Sequence, residues 1–487
     1  MWWENAVIYQ IYPRSFQDSN GDGIGDLAGI ESRLDHLVEL GADGLWTSPI
    51  YPSPMADFGY DVSGYEDIDP VFGDLASFDA LLAAAHARGL KLLMDLVPCH
   101  TSIEHPWFRD HPDWYVWADG DAPPNNWVAA FGGPAWTWHE GRARWYLHSF
   151  YPEQPDLDWR NSEVVAAMQE AVRFWLDRGV DGFRLDAIDR LGKDPQLRDN
   201  PPATEPPLFP HRLPDFNALD HIYSKNTTPE TGIALAAIRE AAGDAFLIGE
   251  IYLPTTDWPV YLEHLDRVFA FELFHAQLPW EPAALRAVIE RAFELDGAWV
   301  FSNHDAARLP TRLGEENVRL AAMLLLTLPG MAFVYQGDEI GLVDGPGADP
   351  PFDRAGRDGP RHPMQWESGR NGGFSSAEPW LAAVDPERRN VADQREDPRS
   401  LLALYRRLIE FRPALGHGMA MRDAGSGVLA YERGEGHVVA LNLGDEPHEL
   451  SGVGSLVLST GNDAAAAGVL APHAGAVFER AWPAAPL

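Results

Sequence analysis

Residues 171–186, AVRFWLDRGVDGFRLD, carry the pattern that decides the fold: a helix-like run, a glycine and a short apolar run. Helices commonly end at a glycine in the left-handed conformation, and a short apolar run is typical of a strand buried on both faces. The pattern recurs at residues 32–49, SRLDHLVELGADGLWTSP, and at residues 78–97, FDALLAAAHARGLKLLMDLV. A repeated helix–strand unit predicts a parallel sheet covered by helices.

Further candidate strands lie between helical patterns, at residues 6–12, 246–249, 267–271, 298–301 and 331–335. Strand–helix alternation repeated about eight times is typical of a TIM barrel, a closed (β/α)8 sheet. We therefore predict an α/β protein with this barrel in residues 1–100 and 159–412.

Three segments interrupt the alternation. Residues 101–158 are rich in Trp, Pro, Asp and Gly, which predicts an inserted subdomain after the third strand. A Pro-rich loop at 200–214 and the segment 340–394 are two more long excursions. After residue 412, short strand-like runs alternate with turn residues, so we predict a C-terminal antiparallel β-sandwich domain in residues 413–487.

Composition excludes several classes of function. The formal net charge of −36 repels phosphate backbones, so no nucleic-acid partner is expected. No apolar run is long enough to span a membrane. The only cysteine is Cys99, and the N-terminus shows no secretion signal, so a cytoplasmic protein is predicted. The expected partner is a small molecule, and the sequence does not predict an oligomeric state.

Four polar motifs lie where candidate barrel strands end: LLMDLVPCH at 92–100, GFRLDA at 182–187, LIGEIY at 247–252 and VFSNHD at 300–305. Active sites of barrel enzymes lie at the carboxyl ends of the strands. Acidic side chains from different strands would therefore converge there, although a single acid after a strand is often only a helix cap.

These motifs resemble the conserved regions of the α-amylase superfamily of glycoside hydrolases. Other stretches are similar to its α-glucosidase branch, which includes oligo-1,6-glucosidases: YQIYPRSFQDSNGDGIGDLAGI, FGYDVSGY, QPDLDW, YQGDEIG and HPMQW. The resemblance runs from residue 7 to about residue 412 and extends to the C-terminal domain only in kind. It implies a retaining α-glucosidase, which removes α-linked glucose from short sugars.

The resemblance also implies a role for each acid. Asp186 would be the nucleophile, and Glu250 the acid/base, whose pKa must be raised. Asp305 would be the third carboxylate, which holds sugar hydroxyls and stabilises the cationic transition state. Arg184 lies two residues before Asp186 on the same face of a strand, so we expect it to keep that carboxylate ionised.

Five more residues are implied to form a glucose pocket. Tyr60 resembles the aromatic platform under the sugar, and His100 and His304 resemble hydroxyl donors. Asp57 resembles the acid that grips the far hydroxyls of the terminal glucose, and the resemblance points to Arg395, in NVADQREDPRS, as its partner. Such a pair would close the pocket behind one glucose and make the enzyme exo-acting.

The loop at residues 18–26 has the alternating oxygen ligands of a calcium loop, but it is not an EF-hand because its twelfth position is Gly29. The family carries such a structural metal loop after strand one. The implied ion is Ca²⁺, with Mg²⁺ possible, and the candidate ligands are Asp18, Asn20, Asp22, the Ile24 carbonyl and Asp26.

Three positions depart from the family pattern or bear on specificity. Cys99 stands where the family usually has Asn, which argues against the interdomain calcium of true α-amylases. Asp158 stands where Asn is usual, which puts the contacts of the inserted subdomain in doubt. Ala187, next to the nucleophile, is smaller than the Val of many α-1,6-specific relatives, and this predicts a preference for α-1,4 bonds.

Two alternatives to the exo-acting α-glucosidase remain open. A sucrose- or trehalose-directed glucosyltransferase or isomerase would use the same Asp186 and Glu250 and differ in whether water reaches the intermediate. A non-catalytic carbohydrate-binding relative would lack one or more of the three acids. The sequence leaves open the natural substrate and the ratio of hydrolysis to transfer.

Overall fold

The computed structural model describes residues 1–209, 213–225, 229–274, 278–450, 454–461, 464–466 and 468–479. Eight parallel strands form one sheet in chain order, with the eighth strand paired to the first. A parallel bridge between Phe269 and Ala298 joins the sixth strand to the seventh and closes the barrel. The strands are Val7–Ile11, Gly44–Thr47, Lys91–Leu96, Gly182–Leu185, Phe246–Gly249, Arg267–Val268, Trp299–Val300 and Ala332–Tyr335. The predicted barrel is confirmed.

Glycines end two of the three helices on which the prediction was based. Leu34–Leu40 ends at Gly41, with φ 90°, and Ser162–Arg178 ends at Gly179, with φ 106°, both in the left-handed conformation. The helices are Leu27–Ser32, Leu34–Leu40, Leu75–Ala87, Pro106–Asp110, Ser162–Arg178, Pro214–Asn217, Glu230–Ala242, Trp258–Leu262, Pro282–Glu294, Leu309–Leu313, Val318–Thr327, Val391–Glu396 and Leu401–Phe411. No helix in these described ranges is long and apolar enough to cross a membrane.

Two antiparallel units are added to the barrel, as predicted. The subdomain after the third strand contains a small sheet of Trp117–Ala118, Trp136–His139 and Arg144–Leu147. The C-terminal strands are Met419–Arg422, Val428–Arg433, His437–Asn442, His448–Glu449, Leu456–Ser459, Ala465–Ala466, Val469–Leu470 and Ala474–Glu479, in sheets of five and three. The end of the predicted C-terminal domain, after Glu479, lies outside the described residues. The domain boundaries at residues 100, 158 and 412 stay predictions.

Buried apolar side chains fill the lower part of the barrel. Ile8, Trp46, Leu93, Ile248 and Phe333 belong to one buried cluster of strand residues. The helices pack outside the sheet through a larger cluster. Since the interior is packed, polar side chains can gather only where the strands end, and this places the site at the carboxyl end of the barrel.

Candidate active site

Arg184 brings three carboxyl groups together. Its Nη1 atom donates to Asp95 Oδ1 at 2.8 Å and to Asp186 Oδ1 at 2.6 Å, and its Nη2 atom donates to Glu250 Oε2 at 2.5 Å. All four side chains are buried. They come from the ends of the third, fourth and fifth strands, where adjacent parallel strands set Asp95 beside Arg184 and Arg184 beside Ile248.

The three buried carboxyl groups share the positive charge of Arg184, so the ionisation of one affects the pKa of the others. Burial raises the pKa of Asp186 well above its usual value, and the neighbouring Glu250 raises it further, whereas Arg184 lowers it. Burial also raises the pKa of Asp95 to about 7, again against Arg184. Arg184 therefore acts on the pKa of Asp186 in the expected direction, against the larger effect of burial. Because these carboxyl groups lie so close together, they titrate as a coupled set.

Glu250 has donors on both of its oxygens. The Tyr252 hydroxyl donates to Oε1 at 3.0 Å, and the backbone amide of Ala187 donates to Oε2 at 3.2 Å. Ala187 has φ 44° and ψ 42°, so the chain turns sharply directly after Asp186. This turn is what directs the Ala187 amide toward the acid on the next strand.

Asp305 is held ionised by two arginines. Arg357 Nη1 and Arg361 Nη2 each donate to its Oδ1 at 3.0 Å, and His304 Nε2 lies 3.3 Å from Oδ2. Burial raises the pKa of Asp305, but His304, Arg357 and Arg361 together lower it far below its usual value. Burial lowers the pKa of His304 to about 3, so the ring is neutral. Gln10 Nε2 lies 2.9 Å from its Nδ1, which leaves Nε2 to carry the proton.

Tyr60 and His100 lie beside this group. The Tyr60 hydroxyl is 3.1 Å from Asp95 Oδ2 and 2.9 Å from His304 Nε2, and its ring is parallel to the imidazole within 3°. His100 Nε2 lies 3.0 Å from Gln154 Nε2, and burial lowers its pKa to about 4. Both predicted residues line the same pocket.

Asp57 lines the pocket, with a different partner from the one predicted. Arg357 Nη2 donates to Asp57 Oδ1, and Gln154 Nε2 donates to Oδ2 at 3.0 Å. Burial raises the pKa of Asp57 to about 6, and Arg357 opposes that effect. Because Arg357 also binds Asp305, one guanidinium joins Asp57 to the third acid.

The predicted Asp57–Arg395 pair is wrong. Arg395 lies on the helix Val391–Glu396, its side chain is 41% exposed, and it pairs with Glu39 at 2.9 Å. The residue that takes the implied place is Arg357, in RAGRDGPRHPMQW. A signal was available, because this arginine lies seven residues upstream of Met364 in the quoted motif HPMQW.

The pocket has a volume of about 350 Å³, small even for a ligand site. Its lining side chains are Asp57, Tyr60, His100, Ala130, Phe131, Phe150, Asp186, Ala187, Asp189, Arg190, Phe209, Phe216, Lys225, Glu250, Tyr252, Asp305 and Arg357. The inserted subdomain supplies Phe131 and Phe150. Asp158 is not among the lining residues, and its carboxylate pairs with Arg160 at 2.7 Å.

Sequence reasoning missed a buried lysine beneath the inserted subdomain. Cys99, His100 and Asp156 cluster closely enough to hold a metal ion. However, the Lys193 ammonium lies 2.8 Å from Asp156 Oδ2 and 3.5 Å from Cys99 Sγ, and it donates to the Arg190 carbonyl. Burial raises the pKa of the Cys99 thiol to about 12. Lys193 supplies the positive charge here, and a metal ion is not required.

The loop at residues 18–26 has a donor set that fits a hard cation. Asp18 accepts hydrogen bonds from the backbone amides of Asn20, Gly21 and Gly23, and Asp26 accepts from Gly29. Among the residues that the structure describes, no Lys or Arg forms an ion pair with the three loop aspartates, which are Asp18, Asp22 and Asp26. Their uncompensated charge suits an oxygen-ligated ion.

Neighbouring carboxyl groups at the strand ends of a barrel, beside a small pocket, are the arrangement that glycoside hydrolases use. The alpha amylase catalytic domain model matches residues 10–418, and the chain belongs to this family. The predicted family and enzyme class are confirmed.

Relatives and solved structures agree with this placement. A "Probable alpha-glucosidase" of Rhizobium meliloti (strain 1021) is 43% identical, over 91% of this chain and 90% of the relative. An "Oligo-1,6-glucosidase" of Parageobacillus thermoglucosidasius is 37% identical, over 85% and 84%. The structure is similar to that of an alpha-glucosyl transfer enzyme, XgtA, with TM-score 0.88, 38% identity, and 98% and 99% of the chains covered. It is also similar to that of the trehalulose synthase MutB from Pseudomonas mesoacidophila MX-45, with TM-score 0.87, 29% identity, and 98% and 99% covered.

Proposed function

We propose that this glycoside hydrolase is an exo-acting, retaining α-glucosidase with Asp186 as nucleophile and Glu250 as acid/base. The observation that carries the proposal is that both carboxyls bind terminal nitrogens of the same guanidinium, Arg184. They are therefore neighbours, as in retaining enzymes, where the two carboxyl groups lie about 5 Å apart. Inverting enzymes need a wider gap that holds a water molecule.

The proposed reaction has two displacements. Glu250 gives its proton to the leaving oxygen while Asp186 attacks the anomeric carbon and forms a glucosyl ester. This mechanism requires a proton on Glu250 and an ionised Asp186 beside Arg184 when substrate is bound. Glu250 then takes a proton from water, which attacks the ester and releases α-glucose. Asp305, held ionised by its arginines, stabilises the cationic transition state.

The exo action is based on the closed end of the pocket. Asp57 and Arg357 block the space behind the terminal glucose, so a chain end can enter but a chain middle cannot. Tyr60 supplies an apolar face for the ring, and neutral His304 supplies a hydrogen-bond donor at Nε2. The substrate class that fits is a short α-glucoside such as maltose.

We keep the preference for α-1,4 bonds as part of the proposal. Ala187 lines the pocket directly beside the nucleophile, so its side chain borders the space of the leaving sugar. Its left-handed backbone adds a constraint that the sequence did not show, because a β-branched residue is strained at φ 44°. Valine at this position would narrow the pocket and also stress the turn.

The ion and the location are separate proposals. The loop would hold one Ca²⁺, or Mg²⁺, which would neutralise the negative charge of the loop aspartates. The ligands would be Asp18, Asn20, Asp22, the Ile24 carbonyl and Asp26. A cytoplasmic location is supported only by the single cysteine and stays a prediction, as do the absence of a nucleic-acid partner and the oligomeric state.

A glucosyltransferase or isomerase acting on sucrose or trehalose is the second candidate, and the similarity to a glucosyl transfer enzyme and a trehalulose synthase favours it. The deciding experiment supplies maltose, isomaltose, sucrose and trehalose separately and follows free glucose and larger or isomeric products by chromatography. Free α-glucose as the main product supports the glucosidase. Mainly transfer or isomer products would replace it with the second candidate, and no turnover of any glucoside would reject both.

A further inference from the structure

The leaving-group side of the pocket has its own set of side chains. Asp57 and Arg357 hold the opposite end, so the leaving group must lie on the side of Glu250. There the short helix Ile188–Arg190 follows the nucleophile, and the Ile188 amide donates to the Glu250 carbonyl at 3.2 Å. Lys225 Nζ is 3.3 Å from the Tyr252 carbonyl on the same side. We call Arg190, Lys225, Phe150 and Phe216 the acceptor wall.

The cations that line the pocket differ in their partners. Arg357 binds three carboxylates, those of Asp57, Asp305 and Asp353. Lys225 Nζ lies 3.6 Å from Asp189 Oδ2. The Arg190 guanidinium, by contrast, has neither an ion pair nor a hydrogen-bond acceptor among the residues that the structure describes, although Arg190 is only 8% exposed. Because Arg190 lines the pocket, its N–H groups are available to a ligand that accepts hydrogen bonds.

Two aromatic rings fix the orientation of this guanidinium. Its central carbon lies 5.2 Å from the ring centre of Phe150 and 5.6 Å from that of Phe216. Cation–π contacts of this kind hold the side chain without using its N–H groups. A planar carboxylate can meet the fork of an arginine in its own plane, with two parallel hydrogen bonds. A tetrahedral phosphate fits the narrow space between two rings less well.

We infer that the acceptor wall binds a carboxylate on the aglycone through Arg190, so that α-glucosides of carboxylate-bearing alcohols or phenols are preferred substrates. This inference rests on the proposed glucosidase function, because it assigns the leaving-group side of the same pocket. Arg190 is then a specificity residue that contacts substrate, and it takes no part in the bond changes.

The test compares two synthetic substrates of nearly equal size, 4-carboxyphenyl and 4-carbamoylphenyl α-glucoside. A charge-assisted, bidentate contact predicts that kcat/KM of the wild type is about 10- to 100-fold higher for the carboxylate, mainly through KM. Arg190→Gln should bring the ratio close to one while the amide substrate is still cleaved. Arg190→Lys should keep part of the preference, and added salt should reduce it in the wild type.

Arg198→Gln is the matched control, because it removes one positive charge eight residues away, from a side chain that is 51% exposed. It should leave the ratio unchanged. If the wild type cleaves both glucosides equally well, or if Arg190→Gln keeps the preference, the inference is wrong and the glucosidase function stands. If neither glucoside is cleaved, the proposed function fails, and calorimetry of the two compounds with the wild type still decides the inference. Equal binding would overturn it even if Arg190→Gln does not fold.

Discussion

Arg357 offers the sharpest test of how the pocket is closed. Its side chain is 14% exposed and binds Asp57, Asp305 and Asp353. Removing one partner from a buried ion pair costs about 3–5 kcal/mol, because the remaining charge is left without compensation. If that cost falls on the bound transition state, kcat/KM for maltose should drop by roughly two to four orders of magnitude in Arg357→Ala.

Arg395→Ala is the paired control, because sequence reasoning gave Arg395 the role that the structure gives to Arg357. Its pair with Glu39 lies at the surface, and such pairs contribute about 1 kcal/mol or less. We expect its kcat/KM to stay within about fivefold of the wild type. The assay is initial-rate release of glucose, with a urea unfolding curve for each variant to separate lost folding from lost binding. A larger loss in Arg395→Ala than in Arg357→Ala would refute this account of the pocket.

Four further outcomes are expected. Asp186→Asn should abolish turnover, whereas Glu250→Gln should still cleave activated aryl glucosides. The first glucose seen by proton NMR with the wild type should be the α anomer, and a β anomer would contradict retention. Chelation should lower the melting temperature with little change in the initial rate. An ion present at a free concentration of 100 times its Kd stabilises the folded state by about 2.7 kcal/mol, and chelation removes this stabilisation. Immediate loss of rate without unfolding would argue against a structural ion. Ala187→Val should raise the isomaltose-to-maltose ratio of kcat/KM and lower the free energy of unfolding by about 1–2 kcal/mol, whereas Ala187→Gly should not destabilise the fold. An unchanged ratio would show that Ala187 does not determine the linkage preference. Because the pKa of Asp57 is raised to about 6, its protonation below pH 6 should lower kcat/KM. Its ionisation should lower the free energy of unfolding as pH rises through 6. A flat pH–rate profile between 5 and 7 would exclude a role of Asp57 in substrate binding.

The sequence predicted the parts of the molecule that depend on local patterns. All eight barrel strands follow from apolar runs and glycine-terminated helices. The strand ends located the candidate acids, and the family resemblance gave Asp186, Glu250 and Asp305 their roles. The Asp57 partner could not be found in this way, because the loop around Arg357 has no periodicity and its return to the site depends on long-range packing. The raised pKa values of Asp186 and Asp95 were also out of reach, since they depend on how deeply these side chains are buried.

Specificity on the leaving-group side was hidden for another reason. Arg190 and Lys225 are separated in the sequence by a Pro-rich loop, and they line the same pocket only in the folded chain. Nothing in the sequence around Arg190 says whether its guanidinium has a carboxylate partner. Only the interatomic distances in the folded chain show that Arg190 has no carboxylate partner among the described residues. This observation makes Arg190 a candidate specificity residue.

The ammonium of Lys193 has a consequence for how the inserted subdomain stays attached. It meets Asp156, from that subdomain, and Cys99, from the end of the third strand. A charge carried on a side chain cannot diffuse away, so its local concentration does not vary with the ion content of the surroundings. Asp156 also raises the pKa of Lys193, which keeps it charged at any physiological pH. The inserted subdomain is thus held at this point by a counterion that belongs to the chain itself, so the ion pair between Lys193 and Asp156 does not depend on a supply of divalent metal.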